Sequence, residues 1–110
     1  MNLAPVIGNI QATVNILSDT GQREIADALK KLAETIAETQ AIKEGQKREA
    51  VELVAALGDE LSKPEVERRT GVLRTLAARV GHIIRGASEV AAVYEALKVA
   101  VRAATGIELP

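Results

Sequence analysis

The chain has 110 residues, the length of one domain, and its 47% hydrophobic and 26% charged content reads as a folded rather than disordered chain. A net charge of −1 argues against a globally basic nucleic-acid binder, and the absence of cysteine excludes disulfides, thiolate metal sites and cysteine nucleophiles. With one Tyr and neither Phe nor Trp, the core has to be built from Ala, Val, Ile and Leu, a lean core for a small domain.

The first residues, MNLAPVIGNIQ, lack a basic region followed by a long apolar run, so no secretory signal is read there and the cytoplasm is the expected location. Residues 1–18 form an N-terminal arm of two possible characters. Ile10, Ala12, Val14 and Ile16 alternate with polar residues at the period of a half-buried strand, while Ile7, Ile10, Val14 and Leu17 fit a helical face. A strand here would have no second strand in the chain to pair with and would need a partner molecule. Short helix and short strand both stay open.

Residues 20–61 read as an antiparallel helical hairpin. SDTGQ carries N-cap residue types, and Asp19 with Gln22 has capping-box spacing. Ile25, Leu29, Leu32 and Ile36 then form one apolar stripe, which predicts a helix over about 21–39. Ala50, Val54, Leu57 and Leu61 do the same over about 43–61. The few residues between the two runs force the helices to return on one another. Ser62 and Glu65 again show capping-box spacing, Pro64 suits a first turn, and Gly71 marks a bend or a loosened point.

From about Val72 to Thr105, within a segment taken as 65–106, every stop in alternating steps of three and four is apolar: Leu73, Leu76, Val80, Ile83, Ala87, Val90, Tyr94, Leu97, Val101 and Ala104. This predicts one long C-terminal helix, with Gly106 as the left-handed residue that ends it and Ile107 closing the motif. The fold class is therefore all-α: a helical bundle in which a hairpin packs on one long C-terminal helix, with the N-terminal segment helix or short strand.

The long helix carries Arg74, Arg79, Arg85, Glu89, Glu95, Lys98 and Arg102, which excludes a bilayer span. Its length, about 50 Å against about 30 Å for each hairpin helix, would leave part of its apolar seam uncovered. A second copy of the chain is the expected cover, since a 3.5-residue period over several heptads is what left-handed helix pairing requires. Leu73, Leu76, Val80, Ile83, Ala87, Val90, Tyr94, Leu97 and Val101 are then the interface, or the core of a monomeric bundle. The function expected is non-enzymatic self-association, an adaptor or oligomerisation module that contacts its own copies or another protein. Arg68, Arg69, Arg74, Arg79 and Arg85 follow one another with no acidic residue between the first and the last, and form an alternative site for anionic surfaces. Peripheral contact with lipid fits that alternative better than nucleic acid, for which no stacking aromatic or helix-turn-helix signal is present.

Chemistry is poorly represented. His82 is the only histidine, so no histidine cluster can hold a metal, and Ser18, Ser62 and Ser88 have no nucleophile-elbow context. The carboxylates sit at salt-bridge spacing on helical surfaces. Neither an enzymatic activity nor a cofactor is expected. VIGNIQATVNILSDTGQREIADALKKL, KREAVEL and KPEVERRTGVLRTL together resemble a bacterial helical module that forms C-terminal tails of effector proteins, some of them suspected of defence against phage. The resemblance implies an accessory role, the tail assembling or anchoring an effector, and carries over no functional residue.

Overall fold

The computed structural model describes residues 3–110. Five α-helices follow in order: α1 (Ala4–Asp19), α2 (Arg23–Glu38), α3 (Glu44–Leu61), α4 (Thr70–Ile83) and α5 (Ser88–Thr105), with a single 3-10 turn at Glu65–Glu67. Among the described residues there is no strand. The α2–α3 hairpin is the middle of the bundle. α1 packs on both of its helices from one side, while α4 packs on α3 and α5 packs on α2.

The N-terminal segment is a helix. Pro5 sits in its first turn, where a missing N–H costs nothing, and Ile10, Thr13, Val14 and Leu17 turn inward at helical spacing. A helix satisfies its own backbone, whereas a strand here would need a partner strand. The alternating pattern breaks accordingly: Val14 is buried, but Ala12 and Ile16 face outward.

The hairpin helices fall within two residues of their predicted ends, but their start signals act differently. Asp19 closes α1 rather than capping α2, and Thr20 Oγ1 donates to the carbonyls of Ile16 and Leu17 at 3.0 and 3.1 Å. Gly21 turns the chain with φ +86, a conformation that glycine adopts without strain, and α2 begins with no side-chain cap. Nor does Ser62 cap forward; its hydroxyl donates back to the Asp59 carbonyl at 2.8 Å. Gly71 lies inside the first turn of α4 and marks no bend. Gly58 is needed where α3 crosses α1 and α2: a Cβ there would stand 2.6 Å from Leu29 Cδ2 and 3.0 Å from Thr13 Cγ2.

The expected long C-terminal helix is two helices. It ends at Ile83, turns through Ile84, Arg85 and Gly86, and restarts at Ser88 behind Ala87 in an extended conformation. The reason is dimensional. An unbroken helix of that span would be about 50 Å long, whereas the molecule measures 37 × 26 × 20 Å. Breaking lets α4 cover α3 and α5 cover α2, so that one chain buries both halves. The register changes too. Leu73, Ala77 and Val80 are the buried stripe of α4, continued by Ile84 in the turn, while Leu76 and Ile83 are half-buried.

At the other end, Gly106 adopts φ +77 and its N–H bonds to the Arg102 carbonyl at 2.9 Å, as its position after the last apolar residue predicts.

Candidate functional site

Of the expected interface set, Leu73, Val80, Ala87, Val90, Tyr94, Leu97 and Val101 are buried within the single chain, and Leu76 and Ile83 are half-buried against the same core. They are core, and the break at residues 84–87 leaves no overlong seam for a second copy to cover. The apolar surface that stays open lies elsewhere. On α5, Ala92, Ala96, Val99 and Ala103 recur at helical spacing on the side away from the buried Val90, Tyr94, Leu97 and Val101, and Val99 is 67% exposed. Ile16 on α1, 49% exposed, stands beside Ala12, Ala55 and Ala56 in a shallow cleft between α1 and α3.

The α5 face adjoins the end of the chain. After Gly106 the backbone runs back along α5, with Ile107 half-buried and Leu109 buried. Arg74 Nε, from α4, donates to the Glu108 carbonyl at 3.3 Å, and Arg102, from α5, pairs with the Glu108 carboxylate at 3.3 Å. The Tyr94 hydroxyl lies 2.8 Å from the Ala77 carbonyl and 2.9 Å from the Pro110 carbonyl. Burial, followed by the negative charge of Glu95, pushes the phenol up to about 12. The tail thus sits between α4 and α5, on a helix pair less closely apposed than α3–α4 or α2–α5. Glu95, Lys98, Val99, Arg102, Glu108 and Leu109 line one cleft of ≈ 280 Å³, in which the open face of α5 and the tail meet.

The arginines are largely spent inside the chain. Arg68 Nη2 donates to the carbonyls of Leu61 and Lys63, each at 3.2 Å, and so closes the C-terminus of α3. Arg69 binds Glu60, Arg74 binds the tail, and Arg79 bridges to Glu49 on α3 at 3.3 Å. The basic segment therefore meets the acidic hairpin within one molecule. Arg85 lies exposed in the turn between α4 and α5, and His82 is exposed as well.

One carboxylate departs from the surface pattern expected of all of them. Glu60 is 3% exposed. It accepts the Arg69 N–H at 2.8 Å, the Arg69 guanidinium at 3.0 Å and the Lys63 ammonium at 3.1 Å. These donors, with the Arg69 backbone N–H foremost, hold its carboxyl down at about 2. The cluster ties the end of α3 to the start of α4. On a continuous helix Glu65, four residues before Arg69, would be the contact instead. The 3-10 turn at Glu65–Glu67 removes that helix, and Glu60, nine residues before Arg69, takes its place.

No family model, no curated protein and no solved structure matches the chain. Among the described residues no helix is long and apolar enough to cross a membrane. No group of three or more His, Asp or Glu among them could hold a metal ion.

Proposed function

We propose that the chain is a non-enzymatic self-association module, an accessory helical domain that joins copies of the cytoplasmic protein to which it belongs, in the manner of the effector tails it resembles. The observation that supports this reading is the open face of α5, where Ala92, Ala96 and Ala103 surround the exposed Val99. Small side chains let two helices approach to about 8–10 Å between axes. A two-fold pair is self-complementary: each copy offers the same patch. In an antiparallel α5 pair centred near Val99, Glu95 of each copy, which pairs with Lys98 in its own chain, comes opposite Arg102 of the other, which pairs with Glu108, so unlike charges face one another along the flank. The nine residues expected at the interface hold the fold that presents this face.

The test is the mass in solution by light scattering across a range of concentrations. A multiple of 11.6 kDa that falls to 11.6 kDa in Val99→Asp, with helicity unchanged, supports the reading. A wild-type chain that stays at 11.6 kDa at every concentration overturns it.

A further inference from the structure

We propose that the outer face of α1 is a second pairing surface, on which α1 of one copy lies antiparallel to α1 of another about a two-fold axis at Ala12. This does not rest on the α5 pair. A chain with both contacts has two different two-fold faces, and copies then join beyond a pair.

All 14 basic and 15 acidic residues of the chain lie from Asp19 onward, so no charge precedes the last residue of α1. Its side away from Ile10, Val14 and Leu17 is nevertheless open, with Pro5, Gly8, Asn9, Ala12, Asn15 and Ile16 exposed. A helix without charge on any face has the composition of a buried one, and depletion of charge marks the centre of an interface. Gly8 adds a steric argument. Glycine within a helix weakens it, and a Cβ here would meet nothing within 4 Å, so no contact in the single chain calls for it.

Residues 8, 12 and 16 follow at intervals of four on one side of α1. Laying a second α1 antiparallel about Ala12 sets Ile16 of each copy over Gly8 of the other, about 6 Å along the helix from the axis, where the glycine leaves room for the side chain. Asn9 comes opposite Asn15, whose Oδ1 accepts from Gln11 at 3.1 Å and whose NH2 is left to donate across the pair. Charge selects a second copy as the occupant. The one charged residue of α1 is Asp19 in its last turn, exposed and in no ion pair among the described residues. At its other end α1 starts with no side-chain cap and no acidic residue in the first turn. The antiparallel pair places Asp19 of each copy opposite Pro5 of the other, so a carboxylate meets the positive end of a helix dipole at both ends. The basic and bulky aromatic side chains that hold a helix on lipid are missing from α1.

The contact is short. The 16 residues of α1 span about 24 Å, and a single helix pair of that length belongs to the weak class of interfaces. A Kd on the order of 1 mM is expected for it alone, so a dilute Val99→Asp chain stays single.

The test is a disulfide at the axis. The chain has no cysteine, so Ala12→Cys gives it a single thiol, which the pairing brings against its own copy. The experiment is run under mild oxidation in chains that also carry Val99→Asp, at about 1 mM protein, near the expected Kd. Ala12→Cys is expected to form a covalent pair of twice 11.6 kDa at least about tenfold faster than Ala78→Cys, on the exposed outside of α4. Adding Gly8→Leu, for which the single chain has room, is expected to bring the rate down to that of Ala78→Cys, with helicity by circular dichroism unchanged. Adding Asp19→Asn is expected to slow it about threefold, and less so at high salt. Equal rates for Ala12→Cys and Ala78→Cys overturn the proposal. Retention of the chain on uncharged phosphatidylcholine vesicles without cross-linking also overturns it and gives the face to lipid. Because Val99→Asp is present throughout, failure here is distinct from failure of the α5 pair.

Discussion

The Tyr94 hydroxyl stands 2.8 Å from the Ala77 carbonyl, so the one aromatic side chain of the protein ties α5 to the middle of α4. The same hydroxyl reaches the Pro110 carbonyl at 2.9 Å. Tyr94→Phe keeps the ring and removes both contacts. It is expected to lower unfolding stability by about 1 kcal/mol in urea, with the helical content of the native baseline unchanged.

Glu60 makes stability depend on acid. Its carboxyl value is depressed in the fold, from 4.5 to about 2, so its contribution is complete above the unfolded value and is lost as pH falls through the folded one. Urea midpoints of the wild type are expected to decline between about pH 4.5 and pH 2 more steeply than those of Glu60→Gln. At pH 7 that variant is expected to be less stable by about 2 kcal/mol, the scale of hydrogen bonds to a charged group.

Gly58→Ala is expected to destabilise by about 1–3 kcal/mol, because the added methyl would stand 2.6 Å from Cδ2 of the fully buried Leu29, which must shift to admit it. Gly8→Ala makes the opposite control. Nothing lies within 4 Å of a Cβ at Gly8 in the middle of α1, so the alanine is expected to stabilise by about 0.5–1 kcal/mol. Thermal melts of the two variants beside wild type decide both signs.

Leu97→Ala tests whether the α5 seam is core. Leu97 is fully buried in the single chain, so the truncation is expected to cost about 2–5 kcal/mol at every protein concentration. A loss that shrinks as concentration rises would place Leu97 at a contact between copies instead.

Much of this architecture is legible in the residues. The stripe Ile25, Leu29, Leu32, Ile36 and the stripe Ala50, Val54, Leu57, Leu61 define α2 and α3 and bury as their spacing implies, because hydrophobic periodicity is a local property that survives in any helical context. Gly106 is readable for the same reason: left-handed backbone favours glycine whatever surrounds it. The break at residues 84–87 is hard to read because the apolar spacing continues through it. Ala87 is buried in an extended conformation at the position where an unbroken helix would bury it too. Gly86 before Ser88 and Glu89 was the available signal, and the regular seam masked it.

The candidate surface follows from that break. By itself the sequence determined the helical class, the hairpin and which faces of its helices are apolar, since each depends on neighbours within a turn or two. Only the tertiary structure decided that the C-terminal seam is folded in two and closed as core, which leaves Val99 rather than Val90 on the outside. It also decided that Glu60, not Glu65, holds Arg69, and that residues 107–110 lie between α4 and α5. These are matters of which surfaces meet across the bundle, and a helix can be long only where another surface is long enough to cover it.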